Sequence, residues 1–183
     1  MTTSSERTRY YQVLFDYNAT TTIEVARASQ GLDHSLVIDG KPIGARTPVR
    51  FVMPGGKPAD YQQNDLGWRL CSPRMRAIID THKSKIDEVD WIDALITAER
   101  SKEHRYFVVH FPSPLPLAVL DRRRTVFNPS NPRRVIKPAL NHQAVDGHNV
   151  FTYEGGFEPW FVSQNIRDAL LAASCDKVEL VER

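Results

Sequence analysis

Two stretches of this chain share one pattern: WRLCSPRMRAII, beginning at Trp68, and WFVSQNIRDALL, beginning at Trp160. Each runs from a Trp through a short apolar segment to a Ser. Met75 or Ile166 then stands three residues past the Ser, Arg76 or Arg167 four past, and paired aliphatics around seven past. The segment before the Ser fits a strand. Ser72 and Ser163 fit N-caps, and Pro73 stands at the first helical position, where its missing N–H costs nothing. Met75, Ile78, Ile79 and His82 follow at three- and four-residue spacing, which predicts a helix of about three turns with one apolar face. Ile166, Ala169, Leu170 and Ala173 form the same stripe in the second copy. A strand is expected after each helix: VDWIDALI, with Val89, Trp91 and Leu95 on the buried side, and KVELVE. The repeated unit is thus strand, capped helix, strand. Since each repeated residue has a packing or capping role, it reads as scaffold. Arg76 and Arg167 are the exceptions, open either to solvent or to a contact shared with a partner.

Around these units, RYYQVLFDY and RYFVVHF carry the aromatic and β-branched content of strands. LVIDGKPIG holds a hairpin signal in Asp39-Gly40. TPVRFVMPGGKPAD predicts a short strand and a surface loop. PSPLPLAVL, broken by prolines, predicts an edge strand or an extended wall, and RRRTVFNPSNPRRVIKP a basic loop region. VFTYEGGFEPW reads as a strand and a Gly-Gly turn. The fold class that follows is α+β, with mainly antiparallel strands and two principal amphipathic helices. At 183 residues and 41% hydrophobic, the chain can bury a good core. Residues 1–9 read as a flexible tail and 10–183 as one globular unit, either with one continuous core or as two similar lobes, 10–100 and 101–183.

No apolar run approaches the ~18 residues of a membrane span. The polar start MTTSSERTR has no apolar centre of the kind a secretory signal needs. Two isolated cysteines, Cys71 and Cys175, fit a reduced, cytoplasmic protein better than a disulfide framework. A net charge of +2 does not argue for nucleic acid, so only the distribution of charge is informative. That distribution is bipolar. Arg122, Arg123, Arg124, Arg133, Arg134 and Lys137 cluster with no acid between Asp121 and Lys137, whereas IDEVDWID carries Asp87, Glu88, Asp90 and Asp93. An arginine cluster recognises acidic groups by bidentate hydrogen bonds and speeds encounter by steering. These six basic residues are the expected partner-binding site, with the acids around Trp91 in support. RNA is the weaker candidate partner, because Phe127 alone among the basic residues does not make a recognised RNA-binding module.

Enzyme signatures are sparse. There is no P-loop, dinucleotide fingerprint or HExxH. Gly55-Gly56-Lys57 is followed by Pro58 and a polar run rather than by the helix a phosphate loop requires. His142, Asp146 and His148 have metal-ligand chemistry, although Asp146-Gly147 is also an ordinary turn signal. Cys71, ending a strand before a capped helix, reads as packed. No catalytic residue, cofactor or metal is expected.

The order and spacing of RYYQVLFDY, DLGWRLCSPRMRAII, YFVVHFPSPLPLAVLD and VFTYEGGFEPWFVSQNIRDALLAASCDKVELV resemble a family of bacterial immunity-type proteins. That family is named after a myxobacterial protein and is often encoded beside polymorphic toxins. The resemblance covers nearly the whole chain after residue 9. It implies a non-enzymatic protein that binds and neutralises a cognate toxin. Two other readings stand beside it: an adaptor for a bacterial Ras-like small GTPase in polarity or motility signalling, and a metal-dependent hydrolase built around His142, Asp146 and His148.

Overall fold

The structure, a computed structural model, describes residues 8–17, 24–29, 39–41, 48–98, 102–155 and 159–183, apart from the side chains of residues 132 and 133. Among the described residues, two helices and twelve strands, mostly antiparallel, make it an α+β protein. In one four-stranded sheet, β1 (Tyr10–Phe15) lies between β11 (Trp160–Ser163) and β12 (Val178–Glu182), with β10 (Val150–Thr152) outside β11. A six-stranded sheet has the order β2 (Arg27–Ala28), β3 (Val49–Val52), β6 (Asp90–Ala98), β7 (Lys102–His110), β5 (Leu70–Cys71), β4 (Tyr61–Gln62). A separate two-stranded ribbon pairs β8 (Val126–Asn128) with β9 (Asn131–Lys137). Each larger sheet draws strands from both halves of the chain.

The helices are α1 (Pro73–His82) and α2 (Gln164–Ala172). β5 and β6, on either side of α1 in the chain, both run antiparallel to β7. β11 and β12 flank α2 and both run antiparallel to β1. Each strand–helix–strand unit is therefore a parallel pair with one antiparallel strand inserted between its members. Met75 and Ile79 of α1 and Ile166 and Leu170 of α2 are all within 1% of complete burial and share one core cluster with Val109, Phe111, Trp160 and Val162.

The two tryptophans, which look equivalent in sequence, are not. Trp68 stands four residues before its cap and Trp160 three. Trp160 opens β11, whereas Trp68 precedes β5 and takes the Leu70 N–H on its carbonyl at 3.0 Å. Trp160 joins the helix-side core, and Trp68 packs with Phe51, Ile92 and Ile96 in a different cluster. Alternation along β6 corrects the expectation for that strand. Ile92, Ala94, Ile96 and Ala98 are its fully buried set, while Val89, Trp91 and Leu95 are only half-buried. Apolar residues occupy both registers of this strand, so periodicity did not tell which face is the better covered. His82, placed on the apolar stripe by spacing, is exposed in the last turn of α1. PSPLPLAVL is neither edge strand nor extended wall: a 3-10 turn spans Leu117–Val119, and Leu115 makes a single bridge to Tyr153. Asp39-Gly40 is a turn, with Gly40 at φ +89°, but most of the expected hairpin around it lies outside the described residues, as does residue 156 of the Gly-Gly turn.

The two caps differ as well. Ser72 Oγ accepts the Met75 N–H at 3.2 Å and donates to Asp60 Oδ1 at 2.5 Å. Ser163 occupies the N-cap of α2 without a side-chain cap bond, and its buried Oγ has no hydrogen-bond partner among the described residues. Ser72→Ala should lower stability by about 1 kcal/mol or more, whereas Ser163→Ala should be neutral or stabilising, since it removes a buried, unsatisfied hydroxyl. Urea melts of both variants check this, and equal losses would contradict it.

The end of α2 is closed by the 6→1 and 5→2 bonds of a Schellman motif, Cys175 N–H to Leu170 O at 3.1 Å and Ser174 N–H to Leu171 O at 2.9 Å. Ser174 holds the left-handed position at φ +51°, which glycine occupies most easily.

Candidate partner-binding surface

The basic segment is not a loop but a rooted β-ribbon. Its base is held by the Leu120–Leu140 bridge, by Asp121 N–H to Ala139 O at 2.8 Å and by Asn141 N–H to Val119 O at 2.8 Å. Val119, Leu120 and Leu140 are buried with Tyr10, Phe151 and Phe161. Thr125 and Ala139 bond reciprocally, the Thr125 hydroxyl donating at 3.2 Å and accepting the Ala139 N–H at 3.1 Å. At the tip, Asn128 Oδ1 accepts the N–H groups of Ser130 and Asn131 at 2.9 and 3.3 Å, the local bond that makes Asn a turn former. Asp121 organises the turn at the root, where its side chain accepts the Arg123 N–H and its carbonyl those of Arg124 and Thr125.

Arg122, Arg123 and Arg124 ride on that turn and are exposed, as are Arg134 and Lys137 on β9; the side chain of Arg133 lies outside the described residues. None of those five cations makes an ion pair among the described residues. Val135 packs toward the core, whereas Arg134 and Ile136 are exposed, on a strand whose pairing with β8 shifts register on either side of Phe127. Ile136 is 60% and Val126 47% exposed, two of the six large apolar side chains that lie exposed among the described residues. Phe127 is only half-buried, and it pairs in register with Val135.

The acidic segment makes no ion pair with this surface among the described residues. Asp87 is buried and accepts from the N–H groups of Ser84, Asn149 and Val150 and from His148. Glu88 accepts the Ser113 hydroxyl at 2.5 Å, Asp93 pairs with Arg105 at 2.9 Å, and Asp90 lies 3.8 Å from His110 Nδ1. These partners tie the acids to their own surroundings.

Arg76 and Arg167 also have local work. The Arg76 guanidinium sits 4.2 Å from the Phe107 ring centroid, and that of Arg167 5.2 Å from the Tyr11 ring centroid. Phe107 pairs with Cys71 and Tyr11 with Val162, each the residue just before its cap serine. Each arginine therefore covers an aromatic of the inserted middle strand of its own unit by cation–π contact. Both contacts depend on which strand lies between the others.

His142 Nδ1 contacts Thr8 O at 3.2 Å, and His148 donates from Nδ1 to Asp87 Oδ1 at 2.9 Å. Asp87, not Asp146, is the acid that orients His148. Among the described residues no group of three or more His, Cys, Asp or Glu is arranged to hold a metal ion. Burial pushes the Cys71 thiol well above its ordinary pKa and that of Cys175 up to about 11, which disfavours the thiolate at both. Gly56 closes a tight turn at φ +76°, where a Cβ would meet Glu24 at 3.0 Å, and no helix follows to make a phosphate cradle.

A second polar centre, which the sequence did not single out, is Asp60. It accepts from Ser72, Arg74 and the Asp176 N–H, and Arg74 also donates to Ala173 O at the C-cap of α2. Burial alone would raise the Asp60 carboxyl, but the Arg74, Ser72 and Asp176 hydrogen bonds outweigh it and lower the pKa from 3.8 to about 2. The folded protein therefore takes up this proton at lower pH than the unfolded chain. The resulting stability is complete above about pH 4 and is lost as pH falls through the folded value. Asp60→Asn should destabilise at pH 7, with the difference from wild type shrinking between pH 4 and pH 2. A difference independent of pH in urea melts would show that the carboxylate's charge contributes nothing.

No protein-family model and no curated protein matches the chain. No helix among the described residues is long and apolar enough to cross a membrane.

Proposed function

We propose that this chain is a non-enzymatic protein-binding module of the immunity type, which neutralises a cognate toxin by occupying it in the cytoplasm. The observation that carries the reading is the ribbon: five exposed cations without ion-pair partners among the described residues, held on a structure rooted in the core, with Val126 and Ile136 exposed among them. Unpaired charges steer encounter, and exposed apolar side chains supply the area that a stable complex buries. The order of sequence segments that resembles the immunity family supports the same reading.

The test is a tagged pull-down from native-host lysate at low and moderate salt, repeated with GDP and with a non-hydrolysable GTP analogue. A single stoichiometric protein encoded next door and retained regardless of nucleotide is the expected result. A GTPase retained in one nucleotide state would replace the toxin by a signalling partner, and turnover lost in His148→Ala with folding intact would replace binding by catalysis. With the retained partner in hand, Arg122→Glu/Arg123→Glu/Arg124→Glu should slow association on the order of tenfold at low salt while the urea midpoint stays put. An unchanged on-rate would remove the ribbon from the interface.

A further inference from the structure

Resting on that reading of the surface, we infer that the partner contributes an extended acidic segment that pairs as an added strand along the outer edge of β9. β9 has seven residues against three in β8, pairs with it through two register shifts, and joins neither larger sheet among the described residues. Apart from Asn131, the residues of β9 make no backbone hydrogen bond beyond the β8 ladder among the described residues. A strand with an unpaired edge is a template for another chain, and proteins usually shorten, cover or charge such edges. Here Arg134 and Lys137 lie along the strand and Arg122, Arg123 and Arg124 lie at its root.

That charge decides the occupant. A second copy would set its own cations against these, since residues 122–137 contain no acid to offset them. An acidic strand instead gains main-chain hydrogen bonds and charge-assisted contacts together, the mode in which backbone pairing gives affinity and alternate side chains give specificity. Ile136 and Val126 call for apolar residues between the acids. Nucleic acid carries the same charge but fits less well. Its bases need exposed aromatic platforms, and Phe127 is in register with the inward-packing Val135.

The probe is a capped octapeptide of alternating glutamate and valine, titrated into 15N-labelled protein at low salt. A matched peptide N-methylated at the residues of one edge has the same charge but cannot pair along that edge. The unmodified peptide should shift and protect amides along β9, and methylation should weaken it about tenfold or more. Arg134→Glu/Lys137→Glu, both at exposed positions, should abolish binding. Equal affinity of the two peptides would overturn strand addition and leave an ionic surface. No binding of either peptide, while charge reversal at the root still releases the native partner, would overturn this inference alone. Retention of the native partner by the charge-reversed protein would overturn the surface reading itself. Tighter binding of single-stranded RNA than of the peptide at equal salt would overturn the choice of a protein strand.

Discussion

Asp39→Ala is expected to destabilise the protein by about 3–5 kcal/mol, the range for removing one partner of a buried ion pair. Arg69 donates to both carboxylate oxygens of Asp39, Nη1 to Oδ1 at 3.0 Å and Nη2 to Oδ2 at 2.8 Å. The side chains are 10% and 2% exposed. Asp39 Oδ1 also accepts the Phe111 N–H at 3.1 Å, Gly40 N–H donates to Phe111 O at 2.9 Å, and the Arg69 guanidinium lies 5.1 Å from the Phe111 ring centroid. The pair therefore pins the turn at residues 39–41 to the end of β7. Truncating Asp39 takes one acceptor from a buried guanidinium and from the Phe111 N–H. Asp39→Leu/Arg69→Met should recover much of the loss, because the desolvation cost leaves with both charges. Urea melts read both variants, and a loss below about 1 kcal/mol for Asp39→Ala would mean that water reaches the site.

Ile166→Ala and Leu170→Ala should each cost about 2–5 kcal/mol. Ile166 is fully buried and Leu170 1% exposed, and they meet Met75 and Ile79 where the two helices share a core. Close packing leaves little room for collapse around a deleted side chain. Leu171, next in sequence but 51% exposed, is the internal control: Leu171→Ala should stay within about 0.5 kcal/mol of wild type. A small loss at Leu170, or similar losses at Leu170 and Leu171, would show that the apolar stripe does not face the core. The two buried positions are close enough to couple, so the double variant need not show the sum.

Much of the helical scaffold was legible because its signals are local. Pro73 and the three- and four-residue spacing of Met75 and Ile79 lie within one short stretch, and they mark the start and inward face of α1 without reference to the rest of the chain. The end of α2 was less legible, because Ser174 holds the left-handed position where glycine is the usual sign. The ribbon was hidden for a related reason. Pro129 and Pro132 and a run of charge look like loop, while its strands come from the β8–β9 pairing, and its root from the Thr125–Ala139 bonds and the burial of Leu120 and Leu140.

By itself, then, the sequence determined the two amphipathic helices, the fold class and the concentration of positive charge between residues 122 and 137, because periodicity and composition are properties of neighbours along the chain. Tertiary structure decided what those features meet. It sent Trp68 and Trp160 to different core clusters, and placed Arg76 and Arg167 over aromatics of inserted strands. It gave His148 the carboxylate of Asp87 rather than that of Asp146, and left five of the ribbon's cations without an ion pair among the described residues while the acids of the other segment found partners nearby. Each of these outcomes depends on strand order and on contacts between residues far apart in the chain, where no local pattern specifies which groups will be neighbours.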